Sequence, residues 1–339
     1  GEGVADGGPF LHRLRRAQVC PLRWLTETNM RHRLPSVKAR ATLLWLGLSA
    51  LVLLAAPVHR LQVFTALRPP VVVLPGFGND AGDYGDGESA LVGGEGVADG
   101  GLVGRLRRRG FPSVETLPVA RYDWLRVLLG LFDEDFRAGK APPETAFGWY
   151  LDRVEELVMR TSAEHGDERV LLLAHSAGGW LARAALSRAS VAERTCALVS
   201  LGSPHLAPPP EPPGDDQTQG ALPHVSKNYP GAFFRERGIT YVTVVGSAVI
   251  GDEQAERGTP EREAWISYIR LVGRGDVAGD GIVPVAGAHL DGATQITLPG
   301  VRHSVGTPAV WYGAEGVIDQ WLPQVSACLE RQAAQEVPA

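Results

Sequence analysis

Cysteine is scarce: Cys20, Cys196 and Cys328 are the three in 339 residues, far apart and without paired spacing. That excludes a zinc knuckle and a disulfide framework, and it leaves Cys196, beside an apolar run, as a core thiol. Positive charge is short in the body of the chain. Ten of the 33 Lys/Arg but three of the 38 Asp/Glu lie in residues 1–68, which leaves 23 against 35 in the remainder. An acidic body without a Lys/Arg-rich run offers no footprint for phosphates, so nucleic acid is not an expected partner. Also missing are a metal-ligand cluster and a phosphate-cradling loop, and Gly76-Phe77-Gly78 lacks the spacing of a dinucleotide fingerprint. No metal and no cofactor is expected.

One long hydrophobic run is present. Ala41–Val58 reads ATLLWLGLSALVLLAAPV, preceded by the basic stretch RHRLPSVKAR and followed by His59 and Arg60. Eighteen uncharged residues reach roughly 27 Å as a helix, just short of a bilayer core. A membrane anchor, a cleavable signal and an Arg-rich transit peptide all share this layout, so residues 1–60 are expected to be a targeting or anchoring leader, and membrane association is expected through 41–58. Met30 is the first methionine, and the octapeptide GEGVADGG at 1–8 recurs at 94–101. Translation is expected to start at Met30, with residues 1–29 partly a gene-model artefact.

From Pro69 onward short apolar runs alternate with longer amphipathic stretches, the pattern of a parallel sheet covered by helices. Strands are expected at Val71–Leu74, Val170–Ala174, Ala197–Leu201, Tyr241–Val245 and Gln295–Leu298, with a weaker one near Val114–Leu117. Helices are expected at 146–162, 177–188 and 309–328. In the first of these, Tyr150, Leu151, Val154, Leu157 and Val158 recur at three and four and mark one buried face. The catalytic domain is expected to span 69–330.

Within VLLLAHSAGGWLARAAL, residues 170–186, a strand meets a helix at Ala174-His175-Ser176-Ala177-Gly178. A sharp strand-to-helix turn lifts a serine hydroxyl to the sheet edge and tolerates small residues alone at the places two before and two after it. Ser176 is therefore the candidate nucleophile, and His175 a structural residue of the turn. Such a serine needs a base, and the base needs a carboxylate. The order Ser, acid, His points to Asp280 in GDGIVP, ahead of Asp276 and Asp291, and to His303 after the last strand. His289 falls earlier, in an expected surface helix. The oxyanion donors are expected to be the backbone amides of Ala177 and of Phe77, in the loop that follows the first strand.

With those residues in place the chain resembles the lipase-like α/β-hydrolases, most closely a plant and algal group related to the GPI inositol-deacylase family. The matching stretches are VVVLPGFGNDAGDY at 71–84, RYDWLR at 121–126, LLLAHSAGGWLAR at 171–183, LGSPH at 201–205, GDGIVP at 279–284 and HSVG at 303–306. The resemblance implies an α/β-hydrolase fold, with a mostly parallel sheet, helices on both faces and a lid or cap insertion. It implies the roles of nucleophile, acid and base for Ser176, Asp280 and His303. It also favours a plastid destination, the secretory route being the alternative.

The proline-rich stretch at about 206–239 is the expected lid. Trp124, Trp180, Phe233 and Phe234 are the candidate substrate or lid residues, and the apolar run Trp124–Phe132 is read as a buried helix ahead of a membrane-contacting cap. Apolar surface near the serine suggests a lipophilic acyl ester. Three activities fit: hydrolysis of a carboxylic ester, acyl transfer on the same residues, and binding without catalysis.

Overall fold

The computed structural model describes residues 68–85, 100–210, 215–307 and 310–336. The leader, including 41–58, lies outside them. Six parallel strands form the central sheet: β1 (Val71–Leu74), β2 (Val114–Thr116), β3 (Val170–His175), β4 (Thr195–Leu201), β5 (Thr240–Gly246) and β8 (Thr294–Leu298), in the order β2-β1-β3-β4-β5-β8. A two-stranded antiparallel sheet, β6 (Val249–Ile250) with β7 (Ala278–Gly279), stands beside it. Each expected strand falls on one of the six.

These runs are continuously apolar because both faces are covered, as parallel sheets require. Val72, Leu74, Leu172, Ala174, Leu198 and Tyr241 face one cluster, which includes helices α2 (Pro143–Glu164) and α3 (Ala177–Ala185). The alternate residues Val71, Val73, Leu171, Leu173, Val199 and Val244 face a second cluster, with α1 (Gly101–Arg108) and α6 (Glu315–Glu336). Two further helices, α4 (Ala221–Asn228) and α5 (Pro260–Val272), lie in the connections after β4 and β6. This is the α/β-hydrolase architecture, with helices on both faces. Cys196 and Cys328 are buried in the second cluster and are not disulfide-bonded.

From β1 the chain runs outward to β2 and then returns to β3 on the other side, so the strand order reverses between β1 and β3. The crevice at the carboxyl ends of strands at such a reversal is where open α/β sheets place ligands. Phe77 follows β1 and Ser176 follows β3, so both lie at this point. The last helix differs from expectation. It begins at Glu315 and runs to Glu336, because Trp311–Ala314 form a turn in which the Tyr312 side chain is turned inward beneath Asp280 and its carbonyl accepts a bond from Trp321.

Among the described residues no helix is long and apolar enough to cross a membrane.

Candidate active site

The turn from β3 into α3 puts Ser176 at φ 53° and ψ −127°, a conformation that costs an L-residue on the order of 1–3 kcal/mol and persists only where the surroundings impose it. The crowding is measurable. A Cβ on Gly178 would meet the Leu74 carbonyl oxygen at 2.5 Å and the Pro75 oxygen at 3.0 Å, while one on Gly76 would meet Ser176 Cβ at 2.7 Å. Gly178→Ala should therefore push apart β1 and α3. We expect a loss of about 1–3 kcal/mol in urea unfolding, and a fall in turnover on the order of 10²-fold as the loop after β1 shifts. Wild-type turnover in this variant would show that the close approach does not matter.

Loops after three different strands converge on Ser176. His303, in the loop following β8, places Nε2 2.9 Å from Ser176 Oγ and Nδ1 2.7 Å from Asp280 Oδ2. Asp280 directly follows β7. It is 2 % exposed and its lone pairs are filled: Oδ1 accepts from the amides of Ile282 at 2.9 Å and Val283 at 2.7 Å, and Oδ2 accepts from the Tyr312 hydroxyl at 2.6 Å as well as from His303. Burial opposes its ionisation, but His303, Tyr312 and Val283 together outweigh burial and hold its pKa below the usual carboxylate range. An ionised carboxylate only accepts, so His303 carries its proton on Nδ1 and, when neutral, accepts from the Ser176 hydroxyl at Nε2. The rival acids sit elsewhere. Asp276 is solvated and paired with Arg274 at 3.2 Å, and Asp291 is exposed. His289 is not in a surface helix. The four-residue helix Val285–Ala288 stops before it, and its ring is held between Thr243 at 2.8 Å and Thr297 at 3.0 Å.

The loop Pro75–Asn79 also runs past the serine. Among the described residues the amides of Phe77 and Ala177 donate to no protein acceptor, as a pair awaiting an anionic oxygen would be. The RYDW segment braces this loop. Arg121 reaches Asp83 at 2.7 Å, Asp123 is held by Arg153 at 2.7 Å, and Trp124 Nε1 donates to the Asn79 carbonyl at 2.8 Å. Trp124 is thus a buried support whose ring lies 5.1 Å from that of Phe77, and not a residue of the cavity wall.

Ser176 and His303 open onto a cavity of ≈ 700 Å³, whose apolar wall includes Phe77, Val127, Phe147, Trp180, Leu222 and Val305. The insertion contributes Asp215–Thr218 and Leu222. The buried Arg183 of α3 holds it in place, donating to the carbonyls of His205, just before the insertion, at 2.9 Å and of Tyr229, within it, at 2.6 Å. Phe233 and Phe234 do not reach this wall. They stack with each other and with Tyr229 at 5.0–5.5 Å, and Phe234 belongs to the core. The run Trp124–Phe132 corrects the reading as a buried helix. It lies in a 3₁₀ helix, Arg121–Phe132, that buries Trp124 and Gly130 but exposes Leu125, Leu128, Leu129, Leu131 and Phe132, the last at 85 %. A 3₁₀ helix repeats every three residues, so the nearly continuous apolar run cannot all face inward.

Sequence reasoning assigns no role to Tyr84 or Tyr312 and sets His175 aside as structural. Tyr312 is on Asp280, and Tyr84 contacts His175 directly behind the serine at 2.9 Å. Tyr84 was within the DAGDY end of a matching stretch, but an aromatic there carries no chemical signature by itself. Burial pushes the His175 pKa from 6.5 down to about 3, and also holds buried His205 well below the usual histidine range. An unfolded chain takes up these protons near pH 6.5, whereas the folded one does not until far lower. Stability should be full above about pH 6.5 and be lost toward pH 3, at about 1.4 kcal/mol per pH unit for each imidazole. Urea unfolding at pH 7, 6 and 5 should show that slope, and His175→Gln should remove one imidazole's share; an unchanged slope in the variant would assign it to other groups.

No group of His, Cys, Asp and Glu among the described residues is arranged to hold a metal ion.

A parallel sheet covered by helices on both faces, with Ser176, Asp280 and His303 brought together on loops after its strands, is the arrangement of a lipase-like α/β-hydrolase. The family model described as the PGAP1-like alpha/beta domain matches residues 150–331, more than half of the chain, and the chain belongs to that family. Among solved structures it is similar to Bacillus licheniformis lipase BlEst2 in mature form, at 13 % identity and a TM-score of 0.44 over 76 % of this chain and 92 % of that one. It is also similar to a soluble variant of monoglyceride lipase from Saccharomyces cerevisiae with a substrate analogue (11 %, 0.37, covering 78 % and 87 %), and to the Paleococcus ferrophilus monoacylglycerol lipase (12 %, 0.33, covering 78 % and 93 %). No curated protein sequence matches the chain.

Proposed function

We propose that the protein is a serine hydrolase that cleaves a carboxylic ester of a lipophilic acyl substrate, with Ser176 as nucleophile, His303 as base and Asp280 as the acid that orients it. The observation that carries this reading is the His303 ring, within hydrogen-bond distance of both Ser176 and Asp280. In the reaction Ser176 Oγ attacks the acyl carbon while its proton passes to His303 Nε2. The carbonyl oxygen becomes an oxyanion and is met by the Phe77 and Ala177 amides. The tetrahedral intermediate then expels the alcohol, which takes the proton from His303, and an acyl-enzyme remains. Water attacks that ester by the same route in reverse and releases the carboxylic acid.

The apolar cavity wall and the exposed leucines of the 3₁₀ helix, which adjoin the cavity through Val127, support a lipid substrate over a sugar or a peptide. The test is untargeted lipid profiling with purified wild type and Ser176→Ala, in water and with added short alcohols. A lipid ester lost with a fatty acid gained, in the wild type alone, is the expected result. Transfer of acyl groups to the added alcohol in preference to water would make the enzyme an acyltransferase. Turnover confined to water-soluble short-chain esters would overturn the lipophilic assignment.

A further inference from the structure

Behind Ser176 lies a chain of hydrogen bonds whose directions are all fixed by what each group can do. The His303 backbone carbonyl only accepts, so His175 Nε2, 3.0 Å away, carries the proton. In a neutral ring Nδ1 must then accept, and the Tyr84 hydroxyl at 2.9 Å donates to it. The Tyr84 oxygen in turn accepts from the Gly76 amide at 3.1 Å and from Asn79 Nδ2 at 3.2 Å. The chain thus begins beside Phe77 and ends on the backbone of the base. Its far end is clamped twice, because the His303 amide donates to the Asp280 carbonyl at 3.0 Å. Tyr84 and His175 are both buried, and burial favours the neutral form of each. A protonated His175 would have no acceptor to offer Tyr84, so this order of bonds exists with a neutral ring alone.

The two loops joined this way both reach the nucleophile: a Cβ on Gly76 would meet Ser176 Cβ at 2.7 Å, and His303 Nε2 lies 2.9 Å from Ser176 Oγ. One supplies an oxyanion donor and the other supplies the base, and their spacing must hold within a few tenths of an ångström for attack and proton transfer to coincide. Apart from this link the loops belong to separate strands, β1 and β8, at different places in the sheet. We propose that Tyr84 and His175 are positioning residues for ester cleavage, setting the distance between the Phe77 amide and His303 at Ser176. The proposal rests on the Ser176–His303–Asp280 reading given above. The simpler role for His175 is to fill space, since its ring packs 4.9 Å from His303 and 6.0 Å from Trp311.

Steady-state kinetics on a p-nitrophenyl ester separate the two roles. His175→Phe keeps a ring without nitrogen, whereas His175→Gln loses the ring but keeps a neutral donor for the His303 carbonyl. Positioning requires Gln to retain more turnover than Phe. We expect His175→Phe and Tyr84→Phe each to lower kcat on the order of 10–100-fold with KM little changed, and His175→Gln to recover much of that loss. Wild-type kcat in His175→Phe, or Phe outperforming Gln, overturns the proposal. Near-UV circular dichroism reports folding. If His175→Phe does not fold, Tyr84→Phe decides: retained kcat overturns positioning, and lost kcat with unchanged KM supports it. A wild type that neither hydrolyses esters nor reacts with a fluorophosphonate overturns the ester-cleaving reading itself, whereas an active wild type with insensitive variants overturns the positioning role alone.

Discussion

Ser176→Ala should lower ester hydrolysis by a factor on the order of 10⁴–10⁶ and abolish covalent labelling by a fluorophosphonate. The hydroxyl is the sole group of the turn that reaches His303 Nε2, at 2.9 Å, and no water held in its place would share its fixed geometry. What remains should be catalysis from the oxyanion donors and substrate binding, about 10³–10⁴ over water. The fold should survive, because alanine keeps the Cβ and the backbone is set by the packing of β3, α3 and the loop after β1. Ser176→Gly makes a sharper comparison. At φ 53° and ψ −127° glycine is relieved of strain, so this variant should be as inactive as alanine yet more stable, by about 1 kcal/mol in urea unfolding. Loss of stability in Ser176→Gly would mean that the turn is not strained. Undiminished labelling of Ser176→Ala at another serine would sink the assignment of the nucleophile.

What was legible in the sequence and what was not divide along a physical line. The strands were legible because a parallel sheet covered on both faces shows as short, uninterrupted apolar runs, such as Val71–Leu74 and Val170–His175. The nucleophile turn was legible because steric crowding leaves a local mark, small residues at 174 and 178. Asp280 and His303 could be proposed because chain order constrains them. Contacts between distant segments left no such mark. Tyr84 lies 91 residues from His175 and Tyr312 lies 32 from Asp280, and an aromatic residue in a loop looks the same whether its hydroxyl meets solvent or a buried imidazole. The run Trp124–Phe132 misled for the opposite reason. Apolar composition argues for burial, but the 3₁₀ period and the bond from Trp124 to Asn79 turn Trp124 inward and leave the leucines in solvent. Phe233 and Phe234 were placed in the right insertion, yet their packing on Tyr229 takes them away from the cavity.

Asp280→Asn and His303→Ala test whether acid and base act as one unit. The carboxylate receives four hydrogen bonds, two of them from the Ile282 and Val283 amides, so removing its charge leaves the loop's shape while changing what His303 feels. An asparagine presenting its amide nitrogen to His303 would select the ring form with its proton on Nε2, the wrong one for accepting from Ser176, and about 10⁴ in turnover is the loss expected. Tyr312 alone opposes that orientation. Its hydroxyl already accepts from the Gly246 amide at 2.8 Å and donates to Asp280 Oδ2, so it favours an oxygen at that position and with it the Nδ1–H form. The Ile282 and Val283 amides both require an oxygen at the Oδ1 position, and these two donors outweigh the single Tyr312 hydroxyl, so the asparagine nitrogen faces His303 and the loss of about 10⁴ stands. Tyr312→Phe in that background removes the one bond that opposes this orientation and should not restore turnover. His303→Ala should be at least as severe as the fully inactivated Asp280→Asn, since the base itself is gone. The double variant Asp280→Asn/His303→Ala should be scarcely worse than His303→Ala, because an orienting carboxylate has nothing left to orient. Losses that simply multiply in the double variant, or an Asp276→Asn more damaging than Asp280→Asn, would mean that the carboxylate acting on His303 is another one.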